Sequence, residues 1–192
     1  MITLQNQETE TQEKFLSAIN NRFSPRAFSP EELDENIVRN IFEAAGFAPS
    51  SYNEQPWRYR LVYRGLDEHT RLLATLAPSN REWAQNAPLL TIGYFKKTFT
   101  LTGEPNYYNM YDLGQSAAYL SLQAQEFNIY THQMGGFNRR KVNEEFSIGD
   151  EFEAAVVIAM GKIDEALIGT VSPVAVAARR KRKSLEEILL KK

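Results

Sequence analysis

The sequence predicts a fold that mixes helices with strands, of the α/β or α+β class. Apolar residues recur at helical spacing in several stretches, and about four short alternating or apolar runs between them predict strands. Neither an internal repeat nor a linker-like segment divides the chain. Because 192 residues suffice for a substantial core, we expect a single domain over residues 1–192.

Composition excludes several classes of function. The net charge of −2 creates no general attraction to nucleic acid or to an anionic membrane. The absence of cysteine excludes disulfides, thiolate metal sites and a cysteine nucleophile, and two histidines argue against a histidine-built metal centre. The longest apolar run, Ala154 to Met160, is far shorter than the roughly 20 residues that span a bilayer. With an acidic N-terminus and no signal-like segment, we expect a cytoplasmic protein.

The N-terminal part predicts two helices. Residues 1–7 look loose, and residues 8–21 have a helical pattern. A second helix is predicted from Ser29 as N-cap, with Pro30 at its first position and Glu32 completing a capping box. It should run to about Phe47 with four inward-facing residues, namely Leu33, Ile37, Ile41 and Ala44.

The remaining elements follow from the same periodicities. Strands are predicted at 57–64, 89–95 (a central strand), 129–134 and 154–160. Helices are predicted at 67–76 (broken by Pro78-Ser79), 80–87 (stopped before Pro88), 111–127, 140–146 and 185–190. The helix at 111–127 has the clearest apolar face, and its small residues would let another helix approach closely, so we expect it in a core or an interface. Residues 98–109 lack periodicity and suggest a mobile lid.

Two polar stretches are candidate binding sites. In an extended chain Arg22, Ser24 and Arg26 would point the same way, which suits an anion or a polar ring; the alternative is a solvated loop. The loop 48–57 (APSSYNEQPW) combines prolines, which prevent a helix, with neutral donors and acceptors. It would suit a flat ligand with polar edges, or it is a plain connection that satisfies its own backbone.

Weaker signals complete the list of candidates. Gly135-Gly136 leaves bare backbone for a ligand, or forms a plain turn. The basic run 179–183 is a solvated tail or a clamp for one phosphate, rather than a nucleic-acid site. No Gly-x-Gly-x-x-Gly, phosphate-binding loop, nucleophile elbow or His-Glu-x-x-His motif occurs.

Six stretches together resemble the FMN-dependent nitroreductase family, in the order in which the family has them. They are Arg22-x-Ser24-x-Arg26-x-Phe28, Ala48 to Trp57, Asn80 to Pro88, Tyr111 to Gln115, His132 to Phe137, and Arg182 to Ile188. The resemblance implies an α+β fold with a mixed, mainly antiparallel sheet flanked by helices. It also implies an intertwined homodimer with two FMN sites at the interface, the tail 179–192 reaching the partner.

The resemblance also implies roles for individual residues. Arg22, Ser24 and Arg26 should hold the phosphate, ribityl chain and pyrimidine edge of FMN, and Arg182, with Arg180, should complete the phosphate clamp. Asn80 should bond the ring or the ribityl chain. Gln133, Met134, Gly135 and Gly136 should lie along the ring, with the Gly135 N–H near N5. The other subunit should supply Pro49, Ser50, Ser51 and Asn53. Phe23 departs from the family pattern, because many members have Arg or His there.

The implied activity is an NAD(P)H-dependent, ping-pong flavin oxidoreductase. NADH or NADPH would give hydride to flavin N5, and a flat acceptor such as a nitroaromatic or a quinone would then take the electrons. We expect no catalytic side chain and no metal. Tyr107, Tyr108 and Tyr111 would line the acceptor entrance, or they are rim packing. Two alternatives remain: a family branch with a different flavin reaction, and a non-catalytic FMN-binding protein.

Overall fold

The computed structural model describes residues 15–164, 166 and 182–189, and these residues contain seven helices and four strands. The helices are α1 (Ser17–Asn21), α2 (Glu35–Gly46), α3 (Asp67–Thr75), α4 (Pro78–Ala84), α5 (Asn109–Glu126), α6 (Arg139–Glu145) and α7 (Leu185–Ile188). The strands are β1 (Trp57–Tyr63), β2 (Leu89–Lys96), β3 (Tyr130–Met134) and β4 (Phe152–Gly161). All four strands lie where apolar patterning predicts them, within two residues at either end.

The four strands form one sheet in the order β1-β2-β4-β3, and every pairing among them is antiparallel. β2 is therefore an interior strand, as its unbroken apolar run predicts. The register of β2 against β4 shifts between Gly93 and Tyr94, which marks a bulge. The predicted α+β fold with a mainly antiparallel sheet and flanking helices is confirmed.

Helices cover both faces of the sheet, because both faces are apolar. On one face, Leu90, Ile92 and Val157 pack in a core with residues of α3, α4 and α6. On the other, Leu89 and Ile158 pack in a second core with residues of α2 and α5. Successive residues of β2 contribute to opposite cores, as the two-residue period of a strand requires.

The predicted start of α2 is wrong. The helix begins five residues later than Pro30, and its N-cap is Asp34, whose carboxylate accepts hydrogen bonds from the N–H groups of Asn36 (2.8 Å) and Ile37 (3.1 Å). Ser29 lies outside the helix, and its N–H donates to the carbonyl of Lys162 at 2.9 Å. Pairing with the chain after β4 thus overrides a strong local signal.

Smaller differences have similar causes. The buried residues of α2 are Val38, Ile41 and Ala45, so the helix is rotated from the predicted inner face, where Ile37 and Ala44 prove only partly buried. Pro78 does not merely break a helix but occupies the first turn of α4, a position that tolerates proline. α4 accordingly begins two residues before the prediction and ends at Ala84, before Pro88.

α5 buries one face and leaves the other open. Leu113, Ala117 and Leu120 lie in the cores. The opposite side exposes Gly114 and Ala118 together with large side chains, namely Met110, Tyr111 and Tyr119. Such an apolar open face on a central helix is a feature of interaction surfaces.

Several predictions concern residues outside the described part of the chain. These are the loose N-terminus 1–7, residues 8–14 of the helix predicted at 8–21, and residues 179–181 and 190–192 of the tail. The described part of that helix begins later than predicted, because Leu16 has a ψ of 137° and α1 starts at Ser17. Within the described residues, no helix combines the length and apolarity needed to cross a bilayer.

Candidate functional site

The segment from Arg22 to Ser29 runs along the β3 side of the sheet, where backbone hydrogen bonds hold it. Phe28 pairs with Ile163 as an isolated bridge, and the N–H of Asp164 donates to the carbonyl of Ala27 at 3.1 Å. The Nδ1 of His132, on β3, lies 2.8 Å from the carbonyl oxygen of Pro25 and donates to it, since a carbonyl only accepts. Pro25 and Phe28 are buried, so the backbone that carries the side chain of Arg26 is held in place.

Arg182, from a distant part of the chain, places its positive charge near enough to act on Arg22. Burial lowers the pKa of the half-buried Arg22 guanidinium, and the positive charge of Arg182 lowers it further. The Nη1 of Arg22 donates to the Ser24 hydroxyl at 3.4 Å. Two like charges held together in a partly desolvated place would both be stabilised by an anion.

Arg26 lies beside this pair on an aromatic support. Its guanidinium carbon is 5.9 Å from the ring centroid of Trp83, on α4, within the range of a cation–π contact. Trp83 in turn packs against the His132 ring at a centroid distance of 4.5 Å and against Phe28 at 6.0 Å. The support is rigid because Trp83 and Phe28 are buried.

Asn80 and the glycine pair adjoin the same edge. The Asn80 amide nitrogen donates to the carbonyl of Gly136 at 3.1 Å, and the N–H of Ala77 donates to the same carbonyl at 2.9 Å. A Cβ on Gly136 would come 2.8 Å from the Asn80 amide nitrogen, whereas one on Gly135 would meet no atom within 4 Å. Gly135 therefore presents exposed backbone beside a position where Asn80 and Gly136 fit closely.

The neighbouring strand residues point elsewhere. Met134 is buried in the core, so its backbone alone is available to a ligand at this edge. The Gln133 amide nitrogen donates to the Ala117 carbonyl (3.4 Å) and the Ser121 hydroxyl (3.3 Å), which places that side chain against α5. Phe23 packs on Tyr130 with ring centroids 5.0 Å apart, so its side chain lies against the first residue of β3.

The loop 48–57 is held above the start of α5. The Asp112 carboxylate accepts from the Ser51 N–H at 3.1 Å, and the Gln115 amide donates to the Pro49 carbonyl at 3.3 Å. The Ser50 hydroxyl accepts from the Gln55 N–H at 3.0 Å. The side chain of Asn53 is exposed. Hydrogen bonds thus fix the backbone of the loop, and the Asn53 side chain remains exposed at its surface.

The two groups of residues lie at opposite edges of the sheet. The first group ends β3 and adjoins the chain after β4, while the loop 48–57 leads into β1. β2 and β4 separate these edges, and three strand spacings amount to about 14 Å. One chain therefore brings together Arg22, Ser24, Arg26, Asn80, Gly135, Gly136 and Arg182, and holds Pro49, Ser50, Ser51 and Asn53 apart from them.

The remaining predicted residues complete the picture. Tyr107, Tyr108 and Tyr111 are exposed at the start of α5, next to the loop 48–57. Arg180 lies outside the described residues. Sequence reasoning gave no role to Asp112, whose buried carboxylate fixes Ser51, or to His132 and Trp83, which support Pro25 and Arg26. The sequence signal for Asp112 is an aspartate on an otherwise apolar helix face.

The chain matches known proteins both in sequence and in fold. The nitroreductase family model matches residues 19–102. The nitroreductase NfnB of Mycolicibacterium smegmatis is 48% identical over 44 residues, which are 23% of this chain and 19% of that protein. A crystal structure of an oxidoreductase containing FMN superimposes with a TM-score of 0.85 at 24% identity, covering 97% of this chain and 93% of that one. A nitroreductase family protein from Streptococcus pneumoniae gives 0.78 at 22% identity, covering 93% and 100%.

These matches confirm the resemblance to the nitroreductase family. The chain has the nitroreductase fold over nearly all of its length. Residues 19–102, which include both the arginine segment and the loop 48–57, carry the sequence pattern of that family. The stretch matched to NfnB spans about a fifth of that relative's length.

Proposed function

We propose that the chain is an FMN-dependent oxidoreductase that acts as a homodimer, taking hydride from NADH or NADPH and passing the electrons to a flat acceptor. The observation that carries this proposal is the concentration of positive charge at the β3 edge, where Arg26 lies over the Trp83 ring and the charge of Arg182 acts on Arg22. A structure of the same fold is described as an oxidoreductase containing FMN, which supports the choice of cofactor.

The residues at the β3 edge fit the phosphate end of FMN. Two mutually repelling guanidiniums gain most from a doubly charged anion, and the Ser24 hydroxyl adds a donor beside them. Arg22, Ser24 and Arg182 would therefore hold the phosphate. Arg182 is the tail arginine within the described part of the chain.

The neighbouring residues fit a planar ring with polar edges. Arg26 would set a positive charge at the ring, where it favours any gain of negative charge during reduction. Asn80 offers an amide, and Gly135 offers backbone with no side chain above it. FMN, when bound, supplies a two-electron carrier that accepts hydride and returns it to a second substrate, so the chain itself needs no acid–base side chain.

A second copy of the chain would complete the site. The loop 48–57 carries polar groups suited to the ring and ribityl chain, yet it lies at the far edge of its own sheet. The open apolar face of α5, with Tyr111, Gly114 and Ala118, begins next to that loop, because the buried Asp112 of the same helix turn accepts from the Ser51 N–H. Pairing two chains over this face would bury apolar surface and bring one chain's loop to the other's arginines.

Donor and acceptor would use the same exposed side of the ring in turn, which gives ping-pong kinetics. Tyr107, Tyr108 and Tyr111 are exposed near the loop 48–57 and would line the entrance. Aromatic side chains there suit flat acceptors such as nitroaromatics and quinones, through stacking.

The test is the purified protein itself. We expect a yellow protein with one flavin per chain, or a colourless one that becomes yellow with added FMN. Anaerobic NADH or NADPH should bleach the oxidised flavin absorbance, and a nitroaromatic or a quinone should restore it. Failure to bind FMN would refute the proposal, and bound flavin that neither nucleotide bleaches would favour a non-catalytic FMN-binding protein.

A further inference from the structure

The chain after β2 folds back on itself in a closed loop, residues 97–106, which we call the 97–106 loop. The N–H of Asn106 donates to the Lys97 carbonyl at 2.9 Å, and the N–H of Phe99 donates to the Glu104 carbonyl at 2.8 Å. Thr98 and Pro105 form an isolated bridge between these bonds. The two ends of this segment, for which the sequence predicts a mobile lid, are thus hydrogen-bonded to each other.

One side chain connects this loop to the loop 48–57. The Oε1 of Glu54 accepts hydrogen bonds from both the N–H of Thr100, at 2.9 Å, and the Thr100 hydroxyl. That hydroxyl in turn accepts from the Nζ of Lys96 at 2.8 Å. The Tyr52 ring meets Phe99 edge-on at 5.8 Å, which adds an aromatic contact beside the polar one.

The backbone around Glu54 is unusual enough to need such support. Tyr52, Asn53 and Gln55 have positive φ values of 52°, 55° and 49°. Left-handed backbone is unfavourable for residues other than glycine and persists where surrounding contacts impose it. Within this stretch the Glu54 carboxylate accepts the hydrogen bonds from the 97–106 loop, beside the ring contact of Tyr52 with Phe99.

The 97–106 loop also leads directly into the exposed tyrosines. The Oδ1 of Asn106, which is buried, accepts from the N–H of Tyr108 at 3.0 Å. Tyr52, Leu101 and Tyr107 are 92%, 94% and 88% exposed, so apolar groups from both loops face solvent around this junction. Fixing Thr100 therefore limits where Phe99 and the tyrosines can lie.

We propose that Glu54 is a positioning residue that ties the 97–106 loop to the loop 48–57 and thereby limits the size of the acceptor that the enzyme takes. This inference rests on the proposed function, because it concerns the entrance to the same site. With the tie intact, Tyr52 and Phe99 form a fixed wall. Without it, the wall opens and larger flat acceptors gain relative to small ones.

The test compares Glu54→Ala, Thr100→Val and the double variant with the unchanged holoenzyme. Steady-state kinetics with benzoquinone (one ring) and anthraquinone sulfonate (three fused rings) give the preference. We expect the KM for the larger quinone to fall about threefold to tenfold relative to that for the smaller one, while kcat changes little. The double variant should match Glu54→Ala, because both substitutions break the same connection. Amide hydrogen exchange at 97–106 should accelerate.

Two further variants separate this role from a general loss of structure. Glu54→Gln keeps an oxygen that accepts both Thr100 bonds and should restore the original preference. Glu104→Ala removes an exposed carboxylate from the same loop and should leave the preference unchanged.

The contrary result is a Glu54→Ala enzyme that binds FMN and turns over with the same amide exchange at 97–106 and the same ratio of the two KM values as the parent. That result would overturn the role of Glu54 and leave the proposed function standing. A protein that binds no FMN would instead remove the proposed function and, with it, the acceptor role of Glu54.

Discussion

Arg22 is the residue on which cofactor binding should depend most directly. Its guanidinium already lies close enough to Arg182 for that charge to lower its pKa, so an anion between them would relieve repulsion as well as form hydrogen bonds. A charge-assisted hydrogen bond contributes about 1.5–3 kcal/mol, so Arg22→Ala should weaken FMN binding by about 10- to 100-fold. Titration of apoprotein with FMN, followed by flavin fluorescence, measures this.

The matched control for that substitution is Arg39→Ala, which removes an exposed arginine of α2. It changes the net charge equally, so a general electrostatic effect would appear in both variants. Equal FMN affinity in Arg22→Ala and the unchanged protein would show that the phosphate lies elsewhere.

His69 should make the free energy of unfolding depend on pH. It is buried on α3, its Nε2 has no hydrogen-bond partner among the described residues, and burial, with the charge of Arg64, lowers its pKa. The unfolded chain, in which the pKa is about 6.5, then binds more protons than the folded chain as the pH falls below that value. Acidification from pH 7 to 5 should therefore destabilise the fold through this residue.

His69→Leu isolates this effect. Denaturant unfolding at several pH values should show that acidification lowers the free energy of unfolding less in the variant than in the parent. Near pH 8 the free energy of unfolding should change with pH equally in both proteins, because the histidine is neutral in the folded and unfolded states. Parallel curves from pH 8 to pH 5 would mean that other groups account for the whole dependence.

At this scale the sequence identified residue types better than their directions. Arg22, Ser24 and Arg26 stand out because donors alternate along a stretch that Pro25 keeps out of a helix. The direction of Gln133, toward α5, depends on which face of β3 is covered, which a strand sequence of mixed polarity does not reveal. The left-handed backbone at Tyr52 and Gln55 has no sequence signal either, because these types rarely adopt it.

Helix starts show how tertiary pairing overrides a local signal. Ser29 and Asp34 are both good N-cap types, and the structure uses Asp34. Asp34→Ala should therefore lower the stability by about 1 kcal/mol, or by about 2–4 °C in Tm for a chain of this size. Thermal unfolding followed by circular dichroism would measure the shift.

Ser29→Ala is the paired variant for this prediction. Its hydroxyl accepts one long bond, 3.3 Å, from the N–H of Glu31 outside any helix, so its removal should cost much less than that of the Asp34 carboxylate. A larger loss of stability from Ser29→Ala than from Asp34→Ala would show instead that Ser29 caps the helix, as the sequence predicts.

Strands were predictable for a simpler reason. β2 is almost wholly buried and β4 is buried from Val157 to Gly161, so burial alone dictates apolar runs that are visible in the sequence. The open face of α5 is less visible, because Gly114 and Ala118 are equally compatible with a packed core and with a surface that waits for a partner. The apolar pattern of a helix therefore shows which positions favour burial. It does not show which of those positions are covered by the same chain and which remain exposed.

For the whole molecule, the separation of the two residue groups predicts sites shared between chains. Arg22 adjoins one edge of the sheet and Asn53 the other, and the two edge strands are about 14 Å apart across three strand spacings. In a dimer with shared sites, Arg22 of one chain and Asn53 of the other would serve the same flavin. Arg22→Ala and Asn53→Asp should then each impair both sites of their own homodimers. Asn53→Asp keeps the side-chain shape and tolerates the left-handed backbone at this position.

Mixing the two variants after mild unfolding and refolding should restore activity. A mixed dimer would contain one site with neither substitution and one with both. Random pairing makes half of the dimers mixed, so the mixture should recover about a quarter of the parent activity per chain. Sites built within single chains would give no recovery, because every site in a mixed dimer would still carry one substitution. Refolding each variant alone provides the baseline, and a gain confined to the mixture can arise only if the loop of one chain completes the arginine cluster of the other.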